Sequence, residues 1–183
     1  LILEWFKKKR GQYFSKKAWE LIGIEVPINY DLPNDIKFIG YMDVVLYNKI
    51  TQKYKIIDIK TSTMGWNKYQ KADKNKTDQL LLYKKFYGAE KDIPMDKIDV
   101  EYFIVKRKLY ENLDFPQKRI QTFSPANGKP SVNKVTNNLN LFINESFKNG
   151  EYNLSHTYIK RPSRKNCKWC EFNQTEYCDA GVK

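Results

Sequence analysis

A short apolar run, Tyr54-Lys55-Ile56-Ile57-Asp58-Ile59-Lys60-Thr61-Ser62, ends in an acid and a base two residues apart. On an extended strand residues i and i+2 point to the same side, so Asp58 and Lys60 share one face and Ile57 and Ile59 the other. Charges next to an apolar strand are costly unless they are paired or bind a metal. The pair is therefore either a salt bridge at a strand edge or part of a chemical site. Asp43, in Gly40-Tyr41-Met42-Asp43, stands fifteen positions earlier, and Glu25, in Ile24-Glu25-Val26-Pro27, earlier still. Two or three converging carboxylates offer hard oxygen ligands to Mg²⁺ or Mn²⁺, the arrangement used for metal-assisted attack on a phosphodiester. A lysine beside them can orient or help deprotonate the attacking water and balance charge that builds in the transition state. Glu25 reads equally well as a surface-strand carboxylate.

The elements that must position these residues follow from pattern and punctuation. Ile24 to Ile28, Phe38 to Tyr47 and Tyr54 to Ile59 read as a three-strand meander, with turn composition at Asp31 to Asp35 and a turn at Asn48 to Gln52 short enough for antiparallel pairing. That pairing would bring Asp43 and Asp58 together. The polar stretch Thr61 to Lys76 reads as a loop or the lead-in to a helix, and Thr77 to Tyr87 as a helix with Thr77 as N-cap and Gly88 as its stop. Gln79 and Tyr83 are i and i+4 on that helix and share a face. A strand at Ile98 to Val105, running into Lys106-Arg107-Lys108, permits a parallel crossover. A further strand is expected at Arg119 to Phe123 and a helix at Val132 to Asn149. Before the meander, Leu3 to Leu21 predicts one or two helices with a basic run at Lys7-Lys8-Lys9-Arg10, ended by Gly23.

Composition narrows the partners. The 183 residues carry 33 Lys+Arg against 21 Asp+Glu, a net charge of +12, and a pI near 9.4. This suits a polyanion, nucleic acid first. A hydrophobic share of 41% with 15% aromatic residues argues for a folded globule despite a polar mean hydropathy of −0.71. No apolar run is long enough to span a bilayer and no signal-peptide pattern is present, so no membrane partner and a cytoplasmic, intracellular location are expected. Trp66, Tyr69 and Trp169 lie among lysines and could stack on bases, or be core aromatics.

The ordered motifs Gly40-Tyr41-Met42-Asp43, Asp58-Ile59-Lys60-Thr61 and Gln79-Leu80-Leu81-Leu82-Tyr83 resemble the PD-(D/E)XK nuclease superfamily. The likeness is strongest to its RecB-like exonuclease branch, which includes the nuclease domains of RecB and AddB, CRISPR-associated iron–sulfur exonucleases and phage nucleases. The resemblance implies a restriction-endonuclease-like α/β core, a central mixed sheet flanked by helices, over residues 1–150, with a basic cysteine-containing tail over 151–183 packed on it. It implies Asp43, Asp58 and the Ile59 carbonyl as ligands to Mg²⁺ or Mn²⁺, Lys60 as catalytic lysine, Gln79 and Tyr83 beside the site, and Glu25 as an acid that reaches the metal through water. The implied activity is metal-dependent DNA hydrolysis, exonucleolytic on single strands or duplex ends, of phage or mobile-element character. Proteins of a recombination or replication complex would be further partners. The alternative is a non-catalytic nucleic-acid-binding or assembly module that keeps the fold.

Three cysteines near one end, Cys167-x2-Cys170-x7-Cys178, suit a metal better than a disulfide framework. They resemble the late part of the iron–sulfur clasp of the RecB-like branch, where an early cysteine completes a [4Fe-4S] site. Structural zinc with His156 as fourth ligand, or free thiols, are the other two readings. The early cysteine and the early metal-binding histidine of the branch are not in these residues, where the one histidine is His156; both are expected upstream of Leu1, or the protein does without them.

Overall fold

The computed structural model describes residues 2–15, 17–110, 114–157 and 159–182, leaving Leu1, Lys16, residues 111–113, Tyr158 and Lys183 outside the described residues. The chain is α/β, built on a five-stranded mixed sheet of order β1 (Trp19–Leu32), β2 (Ile36–Asn48), β3 (Lys53–Ser62), β4 (Ile98–Lys106) and β5 (Ile120–Phe123). All neighbouring pairs are antiparallel except β3 and β4. The meander and the parallel crossover are thus both present. The crossover carries α2 (Lys68–Ala72) and α3 (Lys74–Glu90).

The two sheet faces are covered differently. Ile28, Met42, Val45, Ile56, Val100, Tyr102 and Ile104 pack with Leu80, Leu81, Phe86 and Tyr87 of α3 and with Val132 and Val135 of α4 (Lys129–Ser146). On the opposite face Leu46, Ile57, Phe103 and Ile120 are covered by Trp5, from α1 (Ile2–Lys9), and by Tyr13 and Phe14. Because Ile56, Asp58 and Lys60 alternate with Ile57 and Ile59, the charged pair falls on the α3 face.

Several boundaries differ from expectation for local reasons. Lys7, Lys8 and Lys9 do not interrupt the first helix; they form its last turn, where cations complement the helix dipole. Trp19 to Leu21 belong to β1, not to a helix, because they pair with Asn48, Tyr47 and Leu46, and Gly23 sits after a bulge inside that strand. The helix α3 is capped by Asp73, which accepts from the Asn75 N–H, so Thr77 is an interior, buried residue. Gly88 does not stop this helix. It is a close-approach position, since a Cβ there would meet the Ile93 carbonyl oxygen at 2.9 Å. The helix α4 ends at Ser146, and Phe147–Lys148 (β6) turns back to pair with Glu151–Tyr152 (β7), so the expected boundary at residue 150 falls in the turn of a hairpin. The tail adds one short helix, α5 (Arg164–Cys167). Among the described residues no helix is long and apolar enough to cross a membrane.

Candidate active site

The ladder between β2 and β3 runs from Asn48↔Lys53 to Val44↔Ile57, and the next position would set Asp43 opposite Asp58. There the backbone pairing stops. The Asp43 carboxylate takes over as acceptor, its Oδ2 receiving the Ile59 N–H at 2.6 Å. A charged acceptor makes a short, strong bond and fixes the acid against the chain beside Asp58.

Asp58 is 3% exposed. Burial pushes its carboxyl above the usual carboxylate range, the Lys60 ammonium pulls it down, and the Asp43 charge adds to the rise. Lys60 Nζ stands 2.8 Å from Asp58 Oδ2. Besides this ion pair, the buried oxygen has no hydrogen-bond partner among the described residues. Lys60 Nζ also reaches Gln79 Oε1 at 3.4 Å, and Gln79 Nε2 donates to the Tyr83 hydroxyl at 2.9 Å. The i, i+4 relation on α3 therefore serves as a relay that holds the lysine over the strand end. The ring of Tyr83 fits because Gly40 has no side chain.

Asp43, Asp58, Lys60, Gln79 and Tyr83 are thus brought together, with Ile59 between the acids. Glu25 is not. The pairs Ile24↔Val44 and Val26↔Met42 bracket it opposite Asp43, yet the pairing skips it. Its φ of 50° lies in the left-handed region, which costs a non-glycine residue on the order of 1–3 kcal/mol. Among the described residues no three or more His, Cys, Asp or Glu side chains are grouped to hold a metal. This applies also to the tail, where Cys167 is buried, Cys170 exposed and Cys178 half-buried, none of them in a disulfide. Where the β2–β3 ladder ends, the donor set is two carboxylates and the main chain at Ile59. Such hard oxygen donors suit a divalent cation that keeps several waters, and the buried Asp58 Oδ2 is the kind of atom a cation would satisfy.

Two neighbours escaped the motif reading. Tyr102 pairs with Asp58 across β3 and β4, and its buried hydroxyl donates to the Lys76 carbonyl in the first turns of α3. Burial, followed by the Asp58 charge, holds that hydroxyl protonated far above the usual phenol range. The second is Arg107, at one wall of a cleft of about 520 Å³ that Lys60 and Gln79 share. The signal for Tyr102 was the β4 register, and for Arg107 the basic run that follows the strand. Trp66 is buried against Tyr102 and Phe123, whereas Tyr69 and Trp169 are exposed. In comparisons with known proteins, no family model and no curated protein matched the chain.

Proposed function

We propose that this protein is a metal-dependent nuclease that hydrolyses phosphodiester bonds of DNA where the pairing of β2 with β3 ends. The observation that carries the reading is the convergence of Asp43, Asp58 and Lys60, with the Asp58 Oδ2 buried against the Lys60 ammonium and without another partner among the described residues. Asp43, Asp58 and the Ile59 carbonyl are the groups that would hold the cation, which supplies Lewis acidity to the phosphodiester when bound. In the hydrolysis a water oxygen forms the new bond to phosphorus, the bond to the leaving sugar oxygen breaks, and a proton is transferred to that oxygen. Lys60 is placed to orient the water and to donate to the oxygens that gain charge. Gln79 fixes the lysine's direction and Tyr83 fixes Gln79. The net charge of +12 supports a polyanionic substrate.

The test is digestion of end-labelled linear DNA and closed circular DNA with Mg²⁺, with Mn²⁺ and with a chelator. Metal-dependent loss of the linear substrate alone assigns exonucleolytic action, and loss of both assigns internal cleavage. Intact substrates under every condition reject the reading.

A further inference from the structure

Among the described residues the cleft beside Lys60 is lined by polar and cationic groups and Trp66, and by no carboxylate. Its cations are Lys60, Lys76 and Arg107. Two of them are already compensated: Lys60 by Asp58 at 2.8 Å and Lys76 by Asp73 at 3.7 Å. Arg107 differs, because among the described residues no carboxylate lies within ion-pair distance of it. The Arg107 N–H donates to the Ser62 carbonyl at 2.8 Å and the Lys108 N–H to the Thr63 carbonyl at 2.8 Å, so β3 and β4 stay joined beyond Ser62↔Lys106. The guanidinium is oriented by one bond, Nη2 to Thr63 Oγ1 at 3.0 Å. An arginine has five N–H donors, so the fork retains capacity for another acceptor.

The opposite wall is held rigid. The Gln121 side chain clasps the Trp66 backbone at both ends, accepting from its N–H at 2.7 Å and donating to its carbonyl at 3.1 Å. Gly65, at a φ of +98°, makes the bend that allows this contact, as a Cβ there would sit 2.9 Å from Gln121 Oε1. A fixed, carboxylate-free recess with an oriented and uncompensated guanidinium matches a phosphate group, which accepts forked hydrogen bonds from arginine.

We propose that this cleft binds a backbone phosphate of the same strand whose neighbouring phosphodiester is cut, with Arg107 as the main contact and Lys76 as the second. The proposal rests on the nuclease reading for the word neighbouring, since Lys60 belongs to both the cleft and the acid pair. The phosphate is either an internal diester or a terminal monophosphate, and the test separates them.

Binding is measured in EDTA, so that no cleavage occurs, by fluorescence anisotropy of an internally labelled oligonucleotide prepared with a 5′-phosphate, with a 3′-phosphate or with neither. Arg107→Gln is expected to weaken binding about five- to tenfold and to lower the slope of log affinity against log salt by roughly 0.7–0.9, the loss of one phosphate contact. Lys76→Gln is expected to act in the same direction. Equal weakening on all three strands assigns an internal diester, and weakening confined to one phosphorylated strand assigns a terminal monophosphate at that end. Wild-type affinity and salt slope in both variants on all strands overturn the proposal. Arg107 is exposed and Lys76 half-exposed, so both variants should keep the wild-type melting temperature. The cleavage assay distinguishes the two readings. A wild-type protein that cuts DNA while both variants bind normally loses the cleft and keeps the nuclease. Arg107-dependent binding in a protein that never cuts does the reverse.

Discussion

The ring of Tyr83 lies over the α-carbon of Gly40 so closely that a Cβ at that position would stand 2.7 Å from Cε1. Tyr83 is buried, and its hydroxyl accepts the Gln79 amide that in turn meets Lys60. The glycine three residues before Asp43 is thus a packing requirement of the relay on α3. Gly40→Ala is expected to cost about 1–3 kcal/mol through overpacking and to reduce cleavage beyond what the lost stability explains. Chemical denaturation and activity measured well below the melting transition check both parts.

The relay itself is open to separate test. Gln79→Ala removes the amide that orients Lys60 without touching the acids, and Tyr83→Phe removes the hydroxyl that orients Gln79. Each lost positioning bond is worth about 1–1.5 kcal/mol, so cleavage should fall by about tenfold in Gln79→Ala and by less in Tyr83→Phe. The fall should appear in kcat, with KM for DNA little changed. A Gln79→Ala variant at full kcat removes the relay from the mechanism.

Legibility in the sequence tracked how local the cause was. The acid pair could be read because alternation on a strand and the short turn at Asn48 to Gln52 fix which side chains meet, and the ladder ends at Val44↔Ile57 as that register requires. Helical spacing set Gln79 and Tyr83 on one face, and the resemblance implied their place beside the site. Glu25 could not be placed, because whether the β1 pairing holds opposite Asp43 depends on a local φ of 50° that residue type does not announce. Trp19 to Leu21 are expected in a helix yet belong to β1, because they are amphipathic in either conformation and only pairing with β2 decides between them. Tyr102 carries no motif and Arg107 only a basic run after the strand, since their places come from a parallel register set by contacts distant in sequence.

Tyr102 joins the sheet to the start of α3, its hydroxyl donating to the Lys76 carbonyl. Tyr102→Phe removes this bond while the Lys76 carbonyl keeps its place in the α3 ladder, a loss of about 0.5–1.5 kcal/mol. Urea denaturation should show this as a lower midpoint with an unchanged m-value. A variant as stable as the wild type places no weight on this bond.

Asp58 carries a cost in the metal-free protein. Its carboxyl is held above the ordinary range, chiefly by burial, so the folded state takes up the proton at higher pH than the unfolded chain does. The fold is therefore penalised by this group at neutral pH, and the penalty disappears as pH falls through the window between the raised value and the ordinary one. In EDTA, Asp58→Asn should melt at or above the wild-type temperature at neutral pH, with the advantage shrinking as the pH is lowered through that window. Thermal melts of both proteins across the acid range measure it. A variant less stable than wild type at neutral pH contradicts the assignment of burial as the dominant cause.

The most direct measurement is digestion of linear DNA by wild-type protein, Asp58→Asn and Lys60→Ala side by side in Mn²⁺, each shown to be folded by circular dichroism. The expected result is digestion by the wild type that a chelator abolishes, and a loss of about 100-fold or more in both variants. Digestion by Asp58→Asn at the wild-type rate, or none by the wild type in Mn²⁺, would contradict the catalytic role of the acid pair formed by Asp43 of β2 and Asp58 of β3.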